Sequence, residues 1–273
     1  MKGGVGKTTL AMQIAFAADQ ADKKVLAVDL DPQANLSQAI LGAKAYRKHL
    51  EDKKPTVIQI FEGYQPATSG TGGPKKSDLD KVILKAVGPF KGTTLDLIPS
   101  RLELSNTVRN PAGKERRLAK ALASVSEQYD LIIIDCAPTD SMLTDAAYFA
   151  SRYVLIPVRP EFMATIGLPL LASTLESFKI ENDDHEIDIC GIAFNHSAYS
   201  SGPESKQSIK EVKEFANDEG WTVFATEVGY SKSYAKAARE KSPIGSTSYV
   251  RDTTRVAFKA FKNEFFKAIG MVP

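Results

Sequence analysis

Six short apolar runs punctuate the chain. Residues 24–30 read KVLAVDL, 95–99 LDLIP, 131–135 LIIID, 153–158 YVLIPV, 187–194 IDICGIAF and 221–225 WTVFA. Runs of this length, rich in β-branched residues, suit strands covered on both faces, as in a parallel sheet. Between them the apolar positions recur at helical spacing over residues 7–21, 113–128, 168–178, 205–219 and 254–269. Strands alternating with helices build βαβ units with right-handed crossovers. The pattern therefore predicts an α/β fold, doubly wound, with a mostly parallel sheet and helices on both faces. Residues 64–77 (YQPATSGTGGPKKS) break the pattern and read as a flexible surface loop. With no internal repeat and no clear boundary, residues 1–273 are read as one domain.

Composition changes this picture little. The chain is 43% apolar and 25% charged, which is ordinary for a soluble globular protein. A net charge of +2 provides no global field toward nucleic acid, so any basic surface must be local. Cys136 and Cys190 are far apart and lack metal-ligand spacing, which argues against a disulfide framework or a zinc site. No run approaches the ~18 apolar residues of a transmembrane helix.

The strongest chemical signal is KGGVGKTT at residues 2–9. Gly3, Gly4, Val5, Gly6, Lys7 and Thr8 fit the second half of G-x-x-x-x-G-K-[ST], with Met1 where the first glycine would stand. Glycines let the backbone curl so that successive N–H groups, Thr9 included, point at phosphate oxygens. The helix opening near Lys7 adds the positive end of its dipole. Lys7 would reach the β- and γ-phosphates, and Thr8 would place its hydroxyl on Mg²⁺. Such a loop normally follows a strand in the middle of the sheet. Here the motif begins at once, so the first strand is expected to be missing and its two neighbours to have unpaired edges.

Two further segments place carboxylates at strand ends. VDLDPQAN at residues 28–35 brings Asp29 and Asp31 to the carboxyl end of the first run, where α/β sheets bind ligands. In LIIID, Asp135 stands at the strand tip, where a carboxylate can hold a Mg²⁺-bound water.

Taken together these segments resemble the ParA/MinD group of deviant Walker A ATPases, and ParA/Soj-type partition proteins in particular. The resemblance rests on Lys2 before GGVGKT, on VDLDPQAN, on the DCAP segment after the LIII run, and on PVRPE at residues 157–161. It implies a homodimer that sandwiches two ATP molecules, with Lys2 crossing to the partner's phosphates. It implies that Asp31 positions the attacking water and that Asp29, Asp135 and Thr8 serve Mg²⁺. It implies that Asn195 and Pro243 border the adenine. The family usually continues its DCPP segment with Ser, Leu and Gly, whereas Thr139, Asp140 and Ser141 follow here.

The same resemblance implies non-specific DNA binding by the ATP-bound dimer, slow intrinsic ATP hydrolysis accelerated by a ParB-like or cargo-adaptor partner, and a cytoplasmic, nucleoid-associated location. For DNA the candidates are Lys232, Lys236, Arg239, Lys241, Arg251 and Arg255, the first three at helical spacing. Two alternatives stand beside this. A MinD-like protein would grip membrane through the amphipathic C-terminal segment, where Phe258, Phe261, Phe265 and Ile269 recur at helical spacing. That pattern also fits a helix packed on the body, which is commoner. A non-hydrolysing nucleotide switch is the other. The cluster-binding redox branch of the group lacks support, because neither cysteine suits it.

Overall fold

The computed structural model describes residues 4–63, 76–109, 113–137, 141–196 and 202–271, excepting the side chains of residues 76–78. Lys2, Gly3, Asp140 and most of the 64–77 loop therefore lie outside the described residues. The chain groups into two compact units, one of Thr8–Ser151 with Ala237–Pro243, the other of Met1–Lys7, Arg152–Lys236 and Ile244–Pro273.

In the first unit β1 (Val25–Leu30) is buried at every position. It lies between β2 (Leu95–Ile98) and β3 (Leu131–Cys136), parallel to both. Side chains alternate across a strand. Leu26, Val28 and Leu30 accordingly feed one hydrophobic core with Ile60, Phe61 and Leu118. The helices of this unit are α1 (Lys7–Gln20), α2 (Asn35–Leu41), α3 (Ala43–Glu51), α4 (Ile58–Glu62), α5 (Lys76–Val82), α6 (Leu104–Val108), α7 (Arg117–Ala123) and α8 (Met142–Phe149). The last two residues of the predicted loop, Lys76 and Ser77, open α5.

The predicted helix over 113–128 stops early. Ser124 Oγ donates to Ala121 O at 2.7 Å and Ser126 Oγ to Ala123 O at 3.1 Å. These hydroxyls compete for carbonyls that a longer helix would use, and only a 3₁₀ turn, Ser126–Gln128, follows.

In the second unit β4 (Tyr153–Val158) pairs parallel with β5 (Asp188–Phe194). Its helices are α9 (Phe162–Glu181), α10 (Pro203–Asp218), the first half of α11 (Lys232–Glu240), and α12 (Asp252–Ala268). The predicted strand at 221–225 is reduced to one parallel bridge, Ile192↔Val223, with a second just beyond it at Asn195↔Val228. More residues separate the bridges on this side than on β5, so the chain bows out between them. The carboxylate of Glu264 on α12 accepts the amides of Ala225 at 2.6 Å and Thr226 at 2.9 Å, and also the Thr226 hydroxyl. Those donors are thereby withdrawn from the ladder. Phe258, Phe261, Phe265 and Phe266 of α12 are buried, with Phe261 against Phe224 at 6.0 Å between ring centroids.

Among the described residues the five strands pair in parallel, with one isolated antiparallel bridge from Leu84 to Leu97 of β2, giving the expected α/β architecture of parallel sheet flanked by helices. β3 is paired only with β1 and β4 only with β5, and no strand precedes α1 among the described residues. The side chains of Leu131 to Ile134 are accordingly half-buried, although the run is continuously apolar.

Candidate functional site

The phosphate-loop segment in the second unit shows why its glycines are needed. Gly4 has φ +82° and Gly6 φ +90°, backbone states that a Cβ disfavours. At Gly6 there is a second reason. A Cβ there would lie 2.2 Å from Asn195 Nδ2. The buried Asn195 amide donates to Val5 O at 2.7 Å, and its Oδ1 accepts the His196 N–H at 2.9 Å. The end of β5 is thereby locked to the phosphate loop. Asn195, expected from the resemblance to border the adenine, lies beside the phosphate loop with its amide engaged by the loop backbone. His196, which sequence reasoning missed, stands edge-on to Tyr230 at 5.5 Å. Burial, reinforced by the charge of Arg159, holds its imidazole below the usual histidine range. In the PVRPE turn Arg159 and Glu161 form an ion pair at 2.7 Å.

In the first unit the carboxylates gather at the ends of β1 and β3. Asp29 and Asp135 are direct cross-strand partners, and both are buried. Neighbouring strands lie ~4.8 Å apart, so the two carboxylates emerge side by side. The surroundings of Asp29 follow from the start of α2. That helix has Ala34 at its N-cap, in left-handed backbone and without a capping side chain. Its orphan N–H groups need an acceptor. Asp29 Oδ2 accepts Ser37 N at 2.7 Å and Ser37 Oγ at 2.6 Å, and Oδ1 accepts Asp31 N at 3.2 Å. Ser37 Oγ in turn accepts Ser100 N at 2.9 Å. Asp29 is thus a remote cap that fixes the loop carrying Asp31. Burial dominates these hydrogen bonds and pushes its carboxyl up to about 6. Asp31 is half-exposed, with Oδ1 accepting Gln33 N at 2.8 Å. Ser37 and Ser100 carry no motif signal, because their role depends on an uncapped helix that sequence does not reveal.

Pro243 is buried, and the carbonyl before it accepts Gln13 Nε2 at 3.2 Å from α1. Thr8 and Thr9 lie in the first turn of α1, half-exposed. The donor set of threonine hydroxyl and carboxylate oxygens fits Mg²⁺, a hard cation. Asp29 fits it too, because a buried carboxyl raised in this way gains most from a nearby positive charge.

Of the basic candidates, Lys232 and Arg239 are exposed on α11, and Arg251 and Arg255 are exposed at the start of α12. Arg255 pairs with Asp252 at 2.9 Å. Lys236 lies over the Tyr249 ring. Lys241 lies differently, with its ammonium donating to Leu41 O at 3.3 Å, at the C-terminal end of α2.

Residues 1–189 match the family model described as an AAA domain. Over 244 residues the chain is 30% identical to the sporulation initiation inhibitor protein Soj of Bacillus subtilis, covering 89% of this chain and 87% of that one. The chain belongs to the ParA/MinD superfamily of partition ATPases. An uncharacterized protein of Methanocaldococcus jannaschii is 33% identical, with 77% of each chain covered. Among solved structures, a variant of Cyanothece McdA in complex with ATP superposes with a TM-score of 0.78 at 22% identity, covering 100% of this chain and 94% of that one. As a ParA/MinD-type protein, the chain is a ParA-like positioning ATPase. No helix among the described residues is long and apolar enough to cross a membrane.

Proposed function

We propose that residues 1–273 act as one ParA-type ATPase. It closes as a homodimer on ATP, grips DNA without sequence preference and so positions a cargo. The observation that carries this reading is the pair of buried, side-by-side carboxylates Asp29 and Asp135, with Asp31 tethered to the first of them.

The chemistry follows from the residues. Backbone N–H groups from Gly4 to Thr9 cradle the phosphates of ATP, and Lys7 neutralises the β- and γ-phosphates. Thr8, Asp29 and Asp135 would hold Mg²⁺, which when bound would offset the charge developing on the γ-phosphoryl group. Asp31 has one oxygen engaged by the Gln33 amide and offers the other to an attacking water. The bond of Asp29 to the Asp31 amide sets the direction of that oxygen. Lys2 of the partner subunit completes the phosphate contacts, as the family resemblance implies. Turnover is slow until an adaptor protein of the ParB kind docks, and hydrolysis then releases dimer and DNA near the nucleoid.

For DNA, the exposed Lys232, Arg239, Arg251 and Arg255 supply cations that displace condensed counterions. A membrane-gripping role finds less support, because the apolar face of α12 is filled by Phe258, Phe261, Phe265 and Phe266 packing into its own unit. The test is Asp31→Ala. That variant should bind ATP and accumulate as a dimer by light scattering, with turnover lost. Normal turnover would remove Asp31 from its role, and measurable Mg²⁺-dependent turnover in the wild type excludes a non-hydrolysing switch.

A further inference from the structure

Tyr249 has its side chain in solvent and its backbone in a state that aromatic residues avoid. It is 94% exposed, with φ +58°. For a bulky residue, left-handed backbone is unfavourable, because Cβ crowds the neighbouring carbonyl. Burial of the ring does not offset that cost. The conformation is imposed from both sides, by Thr247 at 1% exposure and Val250 at 7%. These anchors leave the ring pointing outward. Strain of this kind gathers at functional positions.

What surrounds the ring indicates the ligand. Lys236 Nζ lies 4.6 Å from the ring centroid, held over its face by the aromatic quadrupole. Lys232, one helical turn earlier, and Arg251, two residues on, are exposed. Val256 adds an apolar spot at 67% exposure. Of the carboxylates along this stretch, Asp252 is paired with Arg255, and Glu240 stands one helical turn after Lys236 on α11. An exposed aromatic ring beneath a lysine, in a stretch with further exposed basic residues, is the composition of a surface that meets nucleic acid, with the cations on phosphates and the ring on sugar or base.

We propose that Tyr249 is a contact residue for double-stranded DNA, its ring packing on the sugar–phosphate edge of the duplex while Lys236 and Arg251 take flanking phosphates. This rests on the DNA-binding reading above and adds to it a non-ionic contact.

The experiment is fluorescence anisotropy of a duplex of arbitrary sequence, with the full chain and ATP, over a series of salt concentrations. Arg251→Ala should lower the slope of log affinity against log salt by about 1, since one phosphate contact is lost. Tyr249→Ala should lower affinity about fivefold or more at every salt concentration and leave the slope unchanged. Tyr249→Phe should keep most of the affinity, because the ring and not the hydroxyl makes the contact. Tyr249→Gly guards against misfolding. Glycine accepts φ +58° without strain, so thermal stability should hold or rise while affinity falls as in Tyr249→Ala. ATP turnover without DNA should be unchanged in all three.

Wild-type affinity in Tyr249→Ala and Tyr249→Gly would overturn the proposal, and would do so even if those variants lost stimulation by a protein partner. A wild-type chain with no ATP-dependent DNA binding would overturn the underlying DNA reading, and the proposal with it. The two failures are separable, because one shows in the variants alone and the other in the parent.

Discussion

Replacing Gly6 by alanine perturbs two things at once, and the structure separates them. The first is backbone: φ +90° with a Cβ costs on the order of 1–2 kcal/mol. The second is the Asn195 lock. The new Cβ would lie 2.2 Å from Asn195 Nδ2, so the amide must leave. The 2.7 Å bond to Val5 O is then broken, at about 1 kcal/mol net and a further ~1–3 kcal/mol if a buried partner is left unsatisfied. Gly6→Ala should therefore cost about 3–6 kcal/mol. Asn195→Ala removes the same bond, and also the acceptor for His196 N, at about 2–4 kcal/mol. In the double variant the broken bond counts once and the Cβ has room. The penalties should fall short of additivity by about 1–3 kcal/mol. Urea unfolding of the four proteins measures this, with affinity for a fluorescent ATP analogue as second readout. Adding Asn195→Ala to Gly6→Ala should then cost little affinity. Strictly additive penalties would refute the lock.

Three other outcomes are expected. Asp29, raised to about 6 in the fold from a usual 3.8, binds its proton more tightly folded than unfolded; its contribution to stability is greatest below pH 4 and is lost as pH rises through 6. Asp29→Asn should accordingly gain on wild type by about 2–3 kcal/mol between pH 4 and pH 7 in paired unfolding curves, and added Mg²⁺ should narrow the gap; a pH-independent difference would contradict this. Ser37→Ala strips a donor from Asp29 and an acceptor from Ser100 N, so it should cost about 1–3 kcal/mol and slow ATP hydrolysis more than it weakens ATP binding. Phe261→Ala, at a fully buried position, should cost about 3–5 kcal/mol by thermal unfolding; a near-neutral change with lost vesicle binding would favour the membrane alternative.

The sheet was largely legible because its signal is local. Buried parallel strands must be apolar on both faces, and five of the six runs are strands within a residue or two. The sixth, at 221–225, failed for a non-local reason: the Glu264 carboxylate takes amides that the ladder would have used. Short helices such as α2 and α6 were not legible, since a few residues cannot establish a period. The motif residues Gly6, Asp29 and Asp135 stood out from their spacing together with the family resemblance. The partners that give them their geometry were not. Asn195 meets Gly6 across most of the chain length, and Ser37 meets Asp29 because an alanine caps α2 poorly. Lys241 read as one of a basic cluster, yet its ammonium is tied to a helix-end carbonyl.

The most direct test of an ATP-controlled grip on DNA is duplex affinity of the wild-type chain with ATP and with ADP, measured across salt. Tight, salt-dependent binding with ATP and weak binding with ADP is the predicted result. Equal affinity with the two nucleotides would contradict the account.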